Sequence, residues 1–228
     1  MIFLVDAGNR PSFATDIGAM HRQRKVVFVD RAGWKVPVVA DQEIDRFDLL
    51  EQTRYLIAKD EPHGSVLASA RLLATSGPHL MQDLYGASHP ATLPRGRNVW
   101  EASRFCTAPG IASRTRRLDL LGQIICGVME TAMALGIDQV IFAANRALLP
   151  LALHCGWDAS IVGPTEKDGS DEFTPVAASM TAQGLRNVRD RYGIPTPIMF
   201  HSQHSPERER DPAVLLPGSG VTERVCAP

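Results

Sequence analysis

Apolar positions along this chain come in two rhythms, and the changes between them mark out its elements. Residues 1–5, "MIFLV", form a short apolar run that suits a strand. From 10 to 24 the spacing turns helical, with Pro11 near the start, where a missing N–H costs least. "KVPVVAD" reads as an extended edge, followed by the acidic stretch "DQEIDRFD". "RYLIAK" is rich in β-formers, and the turn "DEPHG" leads from it into "SVLASARLLA", which predicts an antiparallel hairpin. A loop rich in Gly, Pro and His runs from 76 to 98 and ends at "VWEASRFC", residues 99–106, which reads as a strand. "SRTRRLDLLGQIICGVMETAMALG" has the apolar spacing of a long amphipathic helix closed by Gly136. "DQVIFAA" predicts a strand, "RALLPLALHCG" a helix interrupted by Pro150, and "EFTPVAASM" and "TAQGLRNVRDRYG" a further strand and helix.

This order predicts one α/β (α+β) domain over residues 1–200, with a mixed, largely antiparallel sheet flanked by helices. It is not a doubly wound nucleotide-binding sheet, and neither G-x-G-x-x-G nor G-x-x-x-x-G-K-[ST] occurs. Residues 201–228 are rich in Pro, Ser and charge and read as a flexible tail, with His201 and His204 solvated rather than metal-bound. A net charge of −1 argues against a general nucleic-acid binder. No apolar stretch approaches the roughly 20 residues that span a membrane, and no basic leader precedes the first strand. The four cysteines form no C-x-x-C pair, Cys126 reads as a buried free thiol, and a reducing cytoplasm suits such usage. No metal site is expected.

Within "VWEASRFC" the chain places a carboxylate, Glu101, and a guanidinium, Arg104, among bulky apolar neighbours. Strict alternation sends residues three apart to opposite faces of a sheet. A bulge between them turns both toward one cleft. Taken alone, other charged and aromatic positions have ordinary readings. Arg24 with Asp45 and Asp48 suits surface ion pairs, Phe28 and Trp34 suit the core, and His154 suits a satisfied core histidine. Glu101 and Arg104 would form a structural salt bridge, and Arg114, Arg116 and Arg117 a solvated helix start.

Four ordered blocks change that reading. "HRQRKVVFVDRAGW" carries Arg24, Phe28 and Trp34; "EIDRFD" carries Asp45 and Asp48; "ASARLLATSGPHLMQDLYG" carries Arg71; and "WEASRF" carries Glu101 and Arg104, with Ser103 and Phe105. In order and separation they resemble the acyl-homoserine-lactone synthase (autoinducer synthase) family, and the similarity continues more weakly to about Ile198. Ala74, Ser76 and Ala102 depart from the family pattern without removing a charge.

The resemblance implies a GNAT-like acyltransferase with two substrates, S-adenosylmethionine and an acyl thioester on acyl carrier protein or coenzyme A. The products are an acyl-homoserine lactone, methylthioadenosine and the free thiol. It implies no cofactor, no nucleic acid and no membrane. An α-amino group is mostly protonated at neutral pH, so attack on a thioester needs a base. Glu101 is the candidate, directly or through a water, with strand N–H groups at the bulge as oxyanion donors. Arg24 or Arg104 is positioned by the resemblance to grip the substrate carboxylate, Asp45 and Asp48 to hold its ammonium, and Phe28 and Trp34 to cover the sulfonium or adenine. Arg71, Ser103 and Phe105 join the substrate site. Arg114, Arg116 and Arg117, at the start of the long helix, become a seat for the phosphopantetheine phosphate or an acidic carrier. Phe142, on the strand "QVIFAAN", offers no hydroxyl to a 3-oxo group and favours an unsubstituted chain. Two rival readings remain: a general N-acyltransferase using acyl-coenzyme A, and a non-catalytic relative that binds a small molecule or a regulator.

Overall fold

The computed structural model describes residues 1–86, 93–168 and 171–200. The expected tail, with His201 and His204, lies outside the described residues.

One large sheet holds most of the strands, ordered β11-β1-β4-β5-β6-β7-β10-β8. They are β1 (Ile2–Val5), β4 (Arg54–Ala58), β5 (Ala68–Ala74), β6 (Val99–Thr107), β7 (Gln139–Asn145), β8 (Asp158–Ile161), β10 (Asp171–Ser179) and β11 (Met199–Phe200), with β9 (Glu166–Asp168) paired to β10. Two pairs, β1–β11 and β6–β7, are parallel and the other pairs of this sheet are antiparallel, so the sheet is mixed and largely antiparallel, as its element order implies. A separate hairpin joins β2 (Val38–Val39) to β3 (Gln42–Glu43).

The long helix α3 (Arg114–Ala134) lies across the centre of the sheet and carries much of the core through Leu120, Ile124, Val128 and Met129. At Gly122 a Cβ would stand 2.3 Å from the Tyr192 ring, so only glycine admits α5 (Ala182–Tyr192) this close. α1 (Ala14–Arg24) packs on the opposite side through Met20, against Val5, Tyr55 and Ile57. Cys106, Cys126 and Cys155 are buried free thiols. No described helix is long and apolar enough to cross a membrane.

The structure corrects several sequence expectations. A short helix, α2 (Leu80–Tyr85), stands inside the segment read as loop. Pro150 does not interrupt a helix; it occupies the first turn of α4 (Leu149–His154), where it lacks no needed hydrogen bond. His154, at the end of α4, is exposed rather than a core residue. Residues 10–13 form a 3₁₀ turn before α1, and α1 passes without a break into a π-helical turn, Lys25–Arg31.

Candidate active site

The strand β6 lines the principal cleft through Glu101–Phe105. Its register with β5 pairs Glu101 with Leu73 and Ser103 with Arg71, then slips, so that Arg104 and Phe105 stand opposite Ala70 before Cys106 meets Ser69. This is a β-bulge, and Arg104 takes a left-handed backbone, φ 56°. A non-glycine residue held there costs on the order of 1 kcal/mol and persists because its surroundings over-determine it. The extra residue shifts the alternation by one, and Glu101 and Arg104 both face the same cleft. On its other side β6 pairs with β7 only over Val99–Glu101. Beyond Glu101 the two strands are no longer paired, and the cleft, about 280 Å³, opens between them.

Its cover comes from the N-terminal layer. The π-helical turn carries Phe28, and Gly33, at φ 73°, reverses the chain so that Trp34 donates its N–H to the Phe28 carbonyl at 2.8 Å. The two rings stack 4.7 Å apart, 9° from parallel. The Arg104 guanidinium lies 5.8 Å from one ring centroid and 5.9 Å from the other, within cation–π range.

Behind Arg104 lies a buried cluster of three guanidiniums and three carboxylates. The β2–β3 hairpin turns through Ala40 and Asp41, both at positive φ, which matches a two-residue type I′ turn and sets Glu43 inward. The following turn locks itself. Asp45 Oδ1 accepts the Phe47 and Asp48 N–H groups, and Asp48 Oδ2 accepts the Asp45 N–H. Arg24 grips Asp48 with both terminal nitrogens at 2.9 and 2.8 Å and donates Nε–H to Glu43 at 2.5 Å. Arg71 donates to Asp45 at 2.6 Å and to the Ser103 hydroxyl at 3.1 Å, and it stands 3.1 Å from Asp48. Arg104 donates to Glu43 at 3.0 Å and Asp45 at 2.8 Å. Tyr55 adds its hydroxyl to Asp48.

Burial alone would raise the Asp48 carboxyl. The hydrogen bonds and charge of Arg24, with the charge of Arg71, outweigh it and hold Asp48 ionised well below the usual carboxylate range. Arg24, Asp45 and Asp48 are therefore buried and paired, not the surface ion pairs their isolated positions suggest.

Glu101 contrasts with all of these. It is fully buried, with one oxygen accepting the Met81 N–H at 2.6 Å and Oε1 without a hydrogen-bond partner among the described residues. Burial pushes its pKa up to about 7; the Met81 N–H and the Arg71 charge counter only part of that. The Glu101–Arg104 salt bridge expected from isolated positions does not form, since Arg104 spends its donors on Glu43 and Asp45.

Two further hollows adjoin the cleft. One, about 60 Å³ and lined by apolar side chains, shares Phe105, Ala143 and Leu148 with it and ends against Phe142, Ile125 and Trp157. Trp157 is fixed by its indole N–H donating to the Ala152 carbonyl at 2.7 Å. The other lies between the π-helical turn and the start of α3, lined by Val27, Arg31, Thr107 and Arg117. Of the three expected phosphate contacts only Arg117 lines it, and that side chain bonds the Ile111 and Ala112 carbonyls. Arg114 and Arg116 are exposed on the first turn, which Ser113 caps by accepting the Arg116 N–H.

Two residues of the site escaped the sequence reading. Glu43 lies in the acidic block already singled out, two positions before Asp45, so an inward alternation was available as a signal. His21, one turn before Arg24, is buried 3.9 Å from Asp48 against the Tyr55 ring, and burial lowers its pKa to about 4. Nothing in its local sequence marks it.

The chain resembles known proteins along most of its length. The family described as Autoinducer synthase matches residues 11–184. An acyl-homoserine-lactone synthase of Ralstonia solanacearum is 32% identical over 165 residues, spanning 70% of this chain and 79% of that protein. Among solved structures, a CoA-dependent acyl-homoserine lactone synthase, MesI, superposes with a TM-score of 0.76 at 27% identity, over 87% of this chain and 98% of the other. An acyl-CoA N-acyltransferase from Pseudomonas aeruginosa shares the fold alone, with a TM-score of 0.54 at 20% identity over 78% of this chain and 98% of the other.

Proposed function

The chain belongs to the autoinducer synthase family, and from that premise we infer its function. It is an acyl-homoserine-lactone synthase that acylates the amino group of S-adenosylmethionine from an acyl thioester and closes the lactone with release of methylthioadenosine. Glu101 is the general base. It takes a proton from the ammonium, directly or through one water, as the nitrogen attacks the thioester carbonyl and the thiol departs. The observation that carries this reading is the solitary state of Glu101 Oε1 in a cleft whose three neighbouring carboxylates are each bonded to arginine. A paired carboxylate is a poor base; an unpaired one with a pKa near 7 is suited to neutral pH.

Arg104, backed by Arg71 and the Asp45–Asp48 turn, holds the amino acid end of S-adenosylmethionine, and the Phe28–Trp34 stack covers its sulfonium and adenine. In the second step the substrate carboxylate displaces methylthioadenosine, a good leaving group, so the protein mainly folds the substrate. The β6 backbone freed beyond Glu101 supplies N–H donors for the tetrahedral oxyanion. The phosphopantetheine arm, common to acyl carrier protein and coenzyme A, enters by the hollow between Arg31 and Arg117, with Arg114 and Arg116 at its rim. The acyl chain fills the apolar hollow, which has room for on the order of five non-hydrogen atoms. That size, and the lack of a hydroxyl on Phe142, favour a short unsubstituted chain.

The test is to supply purified protein with S-adenosylmethionine and acyl-coenzyme A or acyl carrier protein thioesters of graded length, following thiol, methylthioadenosine and lactone. Equal release of thiol and methylthioadenosine, greatest with short chains, is expected. Thiol without methylthioadenosine would mark a plain N-acyltransferase, and neither product a binding protein.

A further inference from the structure

Glu43 has no part in the proton transfer, yet it joins the two halves of the site. Its carboxylate, fully buried on β3, accepts Arg24 Nε–H through Oε2 at 2.5 Å and Arg104 through Oε1 at 3.0 and 3.2 Å. Among the described residues no other side chain bonds both arginines: Arg24 otherwise holds Asp48, and Arg104 otherwise holds Asp45. Arg24 closes α1 and opens the π-helical turn that carries Phe28, whereas Arg104 belongs to the strained bulge of β6. One carboxylate therefore ties the aromatic cover to the floor of the cleft. It also separates two buried guanidiniums that would otherwise repel each other across a low-dielectric space.

We propose that Glu43 is a positioning residue: by bridging Arg24 and Arg104 it holds the Arg104 guanidinium beneath the Phe28–Trp34 stack and so forms the seat for S-adenosylmethionine. This rests on the function inferred above. Three features of the geometry support a positioning role over general structural support. Glu43 meets both arginines but is absent from the cleft lining, so it acts through Arg104. Arg104 in turn faces the stacked rings. The apolar hollow for the acyl chain is lined by none of these groups. Loss of the bridge should therefore affect one substrate and spare the other.

The experiment compares wild type with Glu43→Gln and Glu43→Asp in steady-state kinetics, varying each substrate in turn. Glu43→Gln should raise KM for S-adenosylmethionine roughly tenfold or more, with KM for the acyl thioester changed less than about twofold and kcat less than about threefold. Glu43→Asp keeps the charge but is one methylene too short to reach both arginines, and should show a smaller rise confined to the same substrate. Trp100 and Trp157 are buried and Trp34 is half-buried, so acrylamide quenching of tryptophan fluorescence reports on the cover. Quenching should increase in both variants. Equal changes in both KM values, or an unchanged KM for S-adenosylmethionine, overturns the proposal. If Glu43→Gln does not fold, Glu43→Asp decides by the same criterion. A wild-type protein that makes no lactone refutes the inferred function instead. In that case calorimetric binding of S-adenosylmethionine to the same variants still decides the role of Glu43: unchanged affinity overturns it, a drop of tenfold supports it.

Discussion

Two regions three residues apart on β6 solve the problem of buried charge in opposite ways. Around Arg104, three guanidiniums face three carboxylates, every carboxylate has at least one arginine, and the group is formally neutral. Around Glu101, a single buried carboxylate accepts one backbone N–H, feels the Arg71 and Arg104 charges only at a distance, and keeps one oxygen without a hydrogen-bond partner among the described residues. Paired charges in a dry site hold geometry, and the arginines keep Asp48 ionised; the burial of Glu101, only partly offset, pushes its pKa up to about 7. The first region is suited to orienting a zwitterionic substrate. The second can move a proton but orients little. On the function proposed above, the contrast divides binding from chemistry along one strand.

The sharpest way to break this contrast is Glu101→Gln, which keeps the acceptor for the Met81 N–H and removes the base. Activity should fall by about 10²–10⁴-fold in kcat/KM. The linkage gives a second reading of the same variant. The folded pKa of Glu101, about 7, lies above its ordinary 4.5, so the buried carboxylate costs stability as pH rises through that window, by up to about 3 kcal/mol. Thermal unfolding should show Glu101→Gln more stable than wild type at pH 8 and no more stable at pH 4.

In the paired region the sign reverses. Asp48→Ala strands Arg24 and Arg71 without their shared carboxylate, and urea titration should show a loss of about 3–5 kcal/mol. Third, kcat/KM of the wild type should rise about tenfold per pH unit below pH 7 and level above it, since only the ionised carboxylate is a base. A flat profile between pH 5.5 and 8 would remove the assignment. The smallest effect is expected at the surface. Replacing Arg114 and Arg116 together by Ala should weaken use of an acyl carrier protein two- to threefold, more at low salt than at high, in stopped-flow or initial-rate measurements.

Much of the frame is legible from spacing alone. The β-formers of "RYLIAK" and the turn that leads from it into "SVLASARLLA" give β4 and β5, which are buried on both faces, and the helical period of "DLLGQIICGVMETAMA" gives α3, because that period matches one buried face. α2 was missed because "LMQDLY" is too short to show a period, and β8, β9 and β11 because they complete a sheet edge rather than a core. The charged residues of the site are likewise visible as residues, and Arg24, Asp45, Asp48, Arg71, Glu101 and Arg104 do converge. Their burial is not visible, since nothing local distinguishes a surface ion pair from a sealed one. Glu43 illustrates the limit. Its inward direction depends on a turn with two left-handed residues, Ala40 and Asp41, which carry no glycine or asparagine to announce it.

The sequence by itself determined the class of chemistry through the resemblance of four ordered blocks to a known family, and hydrophobic periodicity specified many of the elements that carry them. Tertiary structure alone decided which carboxylates are paired with arginine and which is left with an open oxygen. Ionisation is set by the groups that surround a side chain in space, and the neighbours that separate Glu101 from Asp48 come from strands, turns and helices tens of residues away.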